Sequence, residues 1–430
     1  MVRLPELSNL REVARTWVQE CGGAGSVEEA EELAVALQRE VGRVLVEEAM
    51  TPLGREASYE GSSIAFECGR RAKFKGYRAR CISTLCGVVR VERAYYYCSH
   101  CRSGYVPWDG RQGLTVRLWT PGVKALVSEV AARLSYGETV EFMERTTGLR
   151  LEESSSEALV SEVGARLRER EQARVREYQA GELPPPLRKA PGRLYVGLDG
   201  TSAHIEGSWH EVKVGVVYEG VPGKEGVDEC RRPRYVAAQE GAESFGWRVY
   251  GEAAGAGVEQ AGETVVIGDG AEWIWNLAAQ HYPQATQIVD YWHACEHIHE
   301  LAGEYYGPET AAGQRWAREQ CRKLKERGPA GLLRALKRMR PRTAEQAEAV
   351  RRERGYFRGH AKRMQYPEFR RRGLMIGSGP VEAACKTVVG QRVKRSGMRW
   401  GAAGLDAVLA VRTAVLNGDY DQIRLQARAA

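Results

Sequence analysis

Apolar residues recur at spacings of three and four through the first fifty residues, at Val13, Trp17, Leu33, Ala36, Leu37, Val41 and Leu45, and predict helix there. Between Cys68 and Trp108 the texture changes to short β-like runs, as in ARCISTLCGVVRVERAYYYC, which lead into Cys98-Ser-His-Cys101. Helical spacing returns over residues 115 to 175: Val123 to Leu134, then Ser135-Tyr136-Gly137, a short helix Glu138 to Thr146, a turn at Gly148, and a longer helix opening at Ser154 to Ser156. Short helix, glycine turn and second helix form a helix-turn-helix-like pattern, one that helix pairs packed only for stability share. Gly181-Glu-Leu-Pro-Pro-Pro then breaks the chain stiffly.

Beyond that break lie runs that read as buried strands. LYVGLDG, Leu194 to Gly200, is apolar or aromatic at four of its first five positions and stops on Asp199. TVVIGDG, Thr264 to Gly270, repeats the pattern and ends on Asp269, and QIVD ends more weakly on Asp290. Between them, His210 to Tyr218 alternates as a second strand, Arg234 to Ala238 reads as a third, and helices are expected around Phe245 to Ala254 and Ala271 to Ala279. Residues 291 to 372 are mostly helical with no recognisable strand, and Ala402 to Leu416 is an amphipathic helix suited to covering a sheet. The division expected is a helical region 1–60, a zinc-ribbon-like β module 61–112, a helical segment 113–180, a linker 181–190, and a last domain 191–430 with a helical insertion at about 294–372. The fold class is thus multidomain α+β and α/β, and the strand and helix order of the last domain is that of a ribonuclease H-like sheet.

Charge sharpens this picture. The chain carries a net charge of +7, but residues 311 to 400 hold 25 Lys or Arg against 7 Glu and no Asp, a local +18. A contrast of that size points to a polyanion partner, nucleic acid first, over a merely solvated helical bundle. Residues 1 to 50, with 10 Glu and 5 Arg, suit packing or oligomerisation better than DNA. No apolar run approaches the roughly 20 residues of a membrane span, and the N-terminus has no signal-peptide core, so the expectation is a cytoplasmic protein without a membrane partner.

Asp occurs only eight times in 430 residues, so three at strand ends in one region suggest a shared site beyond ordinary strand capping. Neighbouring first and fourth strands would bring Asp199 and Asp269 together, and carboxylates so placed need a cation between them. Oxygen ligands favour Mg²⁺ or Mn²⁺, and with a third acid such a site holds two ions for phosphodiester chemistry. Glu382, in Gly-Ser-Gly-Pro-Val-Glu-Ala-Ala-Cys-Lys386, is the candidate, although the first turn of a helix welcomes a carboxylate in any case. The adjacent run Lys386, Arg392, Lys394, Arg395, Arg399 and Trp400 is the candidate phosphate grip. Ten cysteines in a chain expected to be cytoplasmic favour a metal site or buried thiols over disulfides. Cys98 and Cys101 are half a zinc ribbon, with Cys68 the best upstream partner; the position three before it is Ala65, and Cys81, Cys86 or His100 are the other residues in reach.

Gly-Leu-Asp199-Gly-Thr, Ile-Gly-Asp269-Gly-Ala-Glu-Trp-Ile-Trp, Asp290-Tyr-Trp-His293-Ala-Cys-Glu-His and the Glu382 block with Gly-Met-Arg-Trp400 resemble, in order, the ISKra insertion-sequence transposases, relatives of the Mutator-like DDE enzymes. The resemblance runs from about Tyr59 to the C-terminus. It implies a DDE triad of Asp199, Asp269 and Glu382 holding two Mg²⁺ or Mn²⁺ ions, with Asp290 and His293 as accessory residues. It also implies a prokaryotic, nucleoid-associated protein that acts on double-stranded DNA, both transposon ends and target, as a homodimer or higher homo-oligomer. The family's second cysteine knuckle is missing at Ala65. Two other readings stand beside it: a non-catalytic DNA-binding protein built on a transposase scaffold, and a zinc peptidase in which His293 and His297 bind metal and Glu296 is the base.

Overall fold

The computed structural model describes residues 10–114, 118–182, 185–186 and 189–429. Part of the predicted linker, residues 183–184 and 187–188, lies outside them, as do the first nine residues of the N-terminal region. Two compact units emerge, Met1–Val163 with Ile423–Ala430, and Gly164–Gln422. The chain is a mixed α+β protein, and among the described residues no helix is long and apolar enough to cross a membrane.

The first unit opens with α1 (Leu10–Glu20) and α2 (Val27–Arg55), the latter capped by the Ser26 hydroxyl. A four-stranded antiparallel sheet follows: β1 (Ser63–Ala65), β2 (Arg71–Thr84), β3 (Gly87–Cys98) and β4 (Ser103–Tyr105), in spatial order. Ile82, Val89 and Val91 of the long β2–β3 hairpin pack with Trp108 of α3 (Pro107–Arg111) and with Leu114 and Leu118, and Val46 and Met50 of α2 close over them. Helices α4 (Pro121–Ala131) and α5 (Tyr136–Thr147), with the start of α6 (Glu153–Gln179), enclose Val123, Val127, Met143 and Leu159. Ser135 and Glu138 form a reciprocal capping box at α5, and Gly148 ends it with a left-handed φ of 73°.

The division between units falls inside α6, ahead of the predicted linker. The reason is packing: from Gly164 onward the helix belongs to the second unit. A Cβ at Gly164 would stand 2.6 Å from Ala407 Cα, and Arg168, nearly buried, donates to the carbonyls of Ala237 and Asp406.

The second unit is built on β5 (Arg193–Ile205), β6 (Ser208–Pro222), β7 (Asp228–Ala238), β8 (Glu263–Gly268) and β9 (Thr286–Val289), in spatial order β7-β6-β5-β8-β9. β5, β6 and β7 are antiparallel neighbours, whereas β8 and β9 add in parallel beside β5. Val196, Leu198, Val214, Val216, Val265, Val266 and Ile267 are all but inaccessible, as strands covered on both faces must be. One face carries α7 (Ala242–Gly255), where Val249 would meet a Cβ on Gly215 at 2.8 Å. The other carries α14 (Gly379–Ala384), where Val381 would meet a Cβ on Gly197 at 3.1 Å. Gly215 pairs with Leu198, so the strict alternation of a strand puts these two glycines on opposite faces. Helix α8 (Glu272–His281) joins β8 to β9, and α9 (Tyr291–Tyr306), α10 (Ala311–Arg327), α11 (Pro329–Arg338), α12 (Ala344–Gly359) and α13 (Tyr366–Arg371) form the long helical segment before α14. After it come a π-helical turn at Cys385–Gly390, α15 (Gln391–Val393) and α16 (Ala402–Leu416); the last helix, α17 (Tyr420–Ala429), starts in this unit and from Ile423 belongs to the first.

One sequence expectation needs correcting. β5 does not stop on Asp199: it continues to Ile205, because Gly200 to Ile205 pair with Ser208 to Lys213 as the distal half of a hairpin. Asp199 therefore sits within the strand, at the level where its parallel neighbour β8 ends.

Candidate functional site: an acidic edge of the second sheet

Leu198 pairs with Gly268 in the last rung between β5 and β8, so Asp199 and Asp269 are the next residue on each strand. Each has one oxygen tied to local backbone: Gly200 N–H donates to Asp199 Oδ1 at 2.7 Å, and Ala271 N–H to Asp269 Oδ1 at 2.8 Å. The second bond turns the chain from β8 into α8, helped by Gly270 at a φ of +114°, where a Cβ would also meet the Tyr356 hydroxyl at 2.9 Å. That hydroxyl donates to the Asp269 carbonyl at 3.2 Å, which docks α12 beside the acid.

Asp199 lies two residues beyond Gly197 and so faces α14. The missing side chain at Gly197 lets α14 sit close, and Cys385, one turn beyond Glu382, donates to Asp199 Oδ2 at 3.4 Å. Burial raises the Asp199 carboxyl above its ordinary range; the Gly200 N–H and Cys385 thiol oppose this, and the charges of Asp269 and Glu382 reinforce it. Cys385 is itself pushed well up by burial and by the Asp199 charge, which keeps it a thiol and a donor.

Asp290 caps α9, accepting from Trp292 N–H at 2.8 Å, while its own N–H donates to the Gly268 carbonyl. It is 2% exposed. Ser378 stands at the cap position of α14 but does not cap it; its hydroxyl contacts Asp290 Oδ2 and, at 3.1 Å, Glu382 Oε1. One hydroxyl has one proton and can donate to only one of these carboxylates at a time. Burial raises the Asp290 carboxyl, the Ser378 and Trp292 donors lower it, and the Glu382 charge raises it again. Four carboxylates from four elements thus gather at one edge of the sheet. The segment after Glu382 is held by Arg412 of α16, nearly inaccessible, whose Nε donates to the carbonyls of Thr387 and Val388 in the π-helical turn at 3.0 and 2.8 Å.

Two of the predicted phosphate contacts fail. Arg392 is 0% exposed with its guanidinium 5.1 Å from the Trp400 ring, and Trp400, 9% exposed, donates from Nε1 to the Val393 carbonyl. Both are core, because a flat cation can be buried against an indole. Lys386, Lys394 and Arg399 are exposed and Arg395 half-buried; Lys394 Nζ donates to Thr201 Oγ1 at 2.7 Å, two residues from Asp199. His293 turns to Glu296 on its own helix, Nδ1 to Oε2 3.2 Å. His297 is held by buried Glu353 at 2.8 Å and stacks on Tyr356 at 3.9 Å.

In the first unit, Cys68 in the β1–β2 turn, Cys98 at the end of β3 and Cys101 in the following turn bring their sulfurs within 4.8 Å of one another. Among the described residues they alone form a group of three that close, and they can hold a metal ion. Neither Cys81, Cys86 nor His100 joins them in that group. Cys98 is drawn down chiefly by the Cys101 backbone N–H, and Cys101 is pushed up to about 12, first by its hydrogen bond with Cys68. The four carboxylates of the acidic edge do not form a group that close.

A mixed α+β chain with a carboxylate-rich sheet edge and a separate thiol cluster is the class these observations define. The model of the uncharacterised protein family UPF0236 matches residues 24–428, and the chain belongs to that family. The comparison with curated proteins finds no match.

Proposed function

We propose that the protein is a DDE transposase of the ISKra type, and that its second unit is a ribonuclease H-like domain interrupted by a helical insertion. The observation that carries this is that Asp199 and Asp269 follow the last rung between two parallel strands and that the charges of Asp269 and Glu382 both bear on Asp199. The strand order, three antiparallel strands extended by two parallel ones beside the first, supports the fold. The donor set fits Mg²⁺ or Mn²⁺: it is all oxygen, and burial together with mutual repulsion leaves two carboxyls reluctant to ionise unless a cation compensates. When bound, a pair of such ions would activate water or a 3′-hydroxyl and stabilise the departing oxygen.

Asp199, Asp269 and Glu382 would hold the ions, and Asp290, through Ser378, would set the position of Glu382. In the first reaction water adds to the scissile phosphorus at a transposon end, the bond to the 3′-oxygen breaks, and that oxygen leaves as a hydroxyl. In the second, the freed 3′-hydroxyl attacks a target phosphodiester and displaces its 3′-oxygen. Lys386, Lys394 and Arg399 would meet phosphates, along with the basic helices α10 to α12, and base reading falls to the first unit. Joining two ends in one event calls for a dimer or larger assembly. Zinc fits the thiol cluster: sulfurs bound tetrahedrally at about 2.3 Å from zinc stand about 3.8 Å apart, and Cys68 and Cys98 are 3.7 Å apart. The peptidase reading has little support, since His297 is committed to Glu353. A supercoiled plasmid carrying candidate transposon ends tests the proposal. Nicking that requires Mg²⁺ or Mn²⁺ and vanishes in Glu382→Gln supports it, whereas specific binding without nicking returns the non-catalytic reading.

A further inference from the structure

We infer that Trp292 is a stacking platform for an unpaired nucleobase next to the scissile phosphate; this rests on the phosphodiester reading above. Trp292 is 61% exposed, in a domain whose other aromatic side chains, Trp209 apart, are buried or partly so. Its position is nevertheless fixed. The backbone N–H is bound to Asp290 Oδ1, and a Cβ on Gly377 would meet the indole Cδ1 and Nε1 at 3.2 and 3.3 Å, so the ring rests against bare backbone there. The Tyr291 ring braces it at 5.2 Å and is itself packed edge-on against Tyr366 at 5.4 Å. The neighbouring residue of that backbone is Ser378, which touches both Asp290 and Glu382.

A rigid indole at the lip of a carboxylate cluster has a defined ligand chemistry. With the scissile phosphate taken up by the cation-holding acids, the neighbouring group left for the indole is a nucleobase, which carries no charge and offers a π-face whatever its identity. Bases inside a duplex already spend both faces on their neighbours, so the base that reaches Trp292 has left the helix. The platform therefore selects a strand that is locally unpaired beside the bond to be cut.

The test uses the full chain and fluorescein-labelled DNA ends, one fully paired and one with the terminal pairs replaced by mismatches, in binding by anisotropy and in cleavage with Mg²⁺. The native chain is expected to prefer the mismatched end. Trp292→Ala should bind that end about ten-fold more weakly and lose the preference, in the range set by loss of one base–aromatic stack, while Trp292→Phe keeps it. Trp292→Ala should also cleave the two ends at rates closer together than the native chain does, because the stack that favours the unpaired base is gone. If Trp292→Ala binds and cleaves both ends like the native chain, the inference is overturned and the phosphodiester reading stands. If Trp292→Ala instead changes only the assembly state in solution, the indole meets protein and the inference is equally overturned. A native chain that neither binds nor cuts either end removes the functional reading itself.

Discussion

His281 closes α8 with its ring 4.7 Å from Trp247 and stacked on Tyr250 at 5.3 Å, its Nε2 buried without a hydrogen-bond partner among the described residues. Burial lowers its pKa from 6.5 to about 4. The folded state thus favours the neutral ring; this contribution is complete above 6.5 and drains away as pH falls towards about 4. Thermal melts of the native chain are expected to lose more stability over that window than melts of His281→Gln, and parallel curves would contradict the assignment. At this scale the sequence is readable where a residue's chemistry agrees with its neighbours. Asp199 and Asp269 stand out because each follows an apolar run. Ser378 and Cys385 do not, since their meaning depends on contacts with Asp290 and Asp199 made 88 and 186 residues away. Asp290 reads as accessory by motif, yet it is the most buried acid of the four. Arg392 misleads for the opposite reason: a guanidinium in a basic run looks like surface, and only the fold reveals the indole that shelters it.

Glycines decide how closely elements approach. Gly197 lets α14 reach β5, and Gly54, the one buried position of α2, sets that helix against β3, where a Cβ would stand 2.6 Å from the Glu92 carbonyl oxygen. Gly54→Ala is expected to destabilise the first unit by about 1–3 kcal/mol, as overpacking does, read as a lower denaturation midpoint; an unchanged midpoint would mean that α2 does not pack there. The thiol cluster makes a second claim on this unit. Metal analysis of the native chain should find close to one zinc per chain, and Cys98→Ser should lose it together with thermal stability, since structural zinc contributes folding energy directly. Native protein free of zinc would leave a sheet held by packing. Periodicity located nearly every element of the second unit, and Ala402–Leu416 is a helix where the sequence puts one, but it is not the amphipathic helix expected: every residue from Ala407 to Thr413 is buried. Periodicity missed the distal half of β5 because Gly200, Thr201 and Ser202 look like a turn until β6 is laid alongside them.

Across the chain, charge divides by segment. The acids stand at one sheet edge of the second unit, and the +18 segment overlaps the helices inserted before Glu382. Some of that charge is already spent, as Arg322 is paired with Glu319 and Glu326, and Arg352 with Glu304 and Glu353. The division of the chain was less legible than its elements: Gly181-Glu-Leu-Pro-Pro-Pro looks like the boundary, but Arg168 and Gly164 commit the end of α6 to the second unit before the prolines arrive. The central claim, that Asp199, Asp269 and Glu382 act as one metal-dependent centre on DNA, is tested most directly by the nicking rate of supercoiled plasmid in Mg²⁺. Asp199→Asn, Asp269→Asn and Glu382→Gln should each lower that rate by at least about 100-fold, more than loss of a supporting residue costs, while each variant still binds DNA. Nicking that persists in any one of the three, or that proceeds unchanged with the divalent ions chelated, would contradict it.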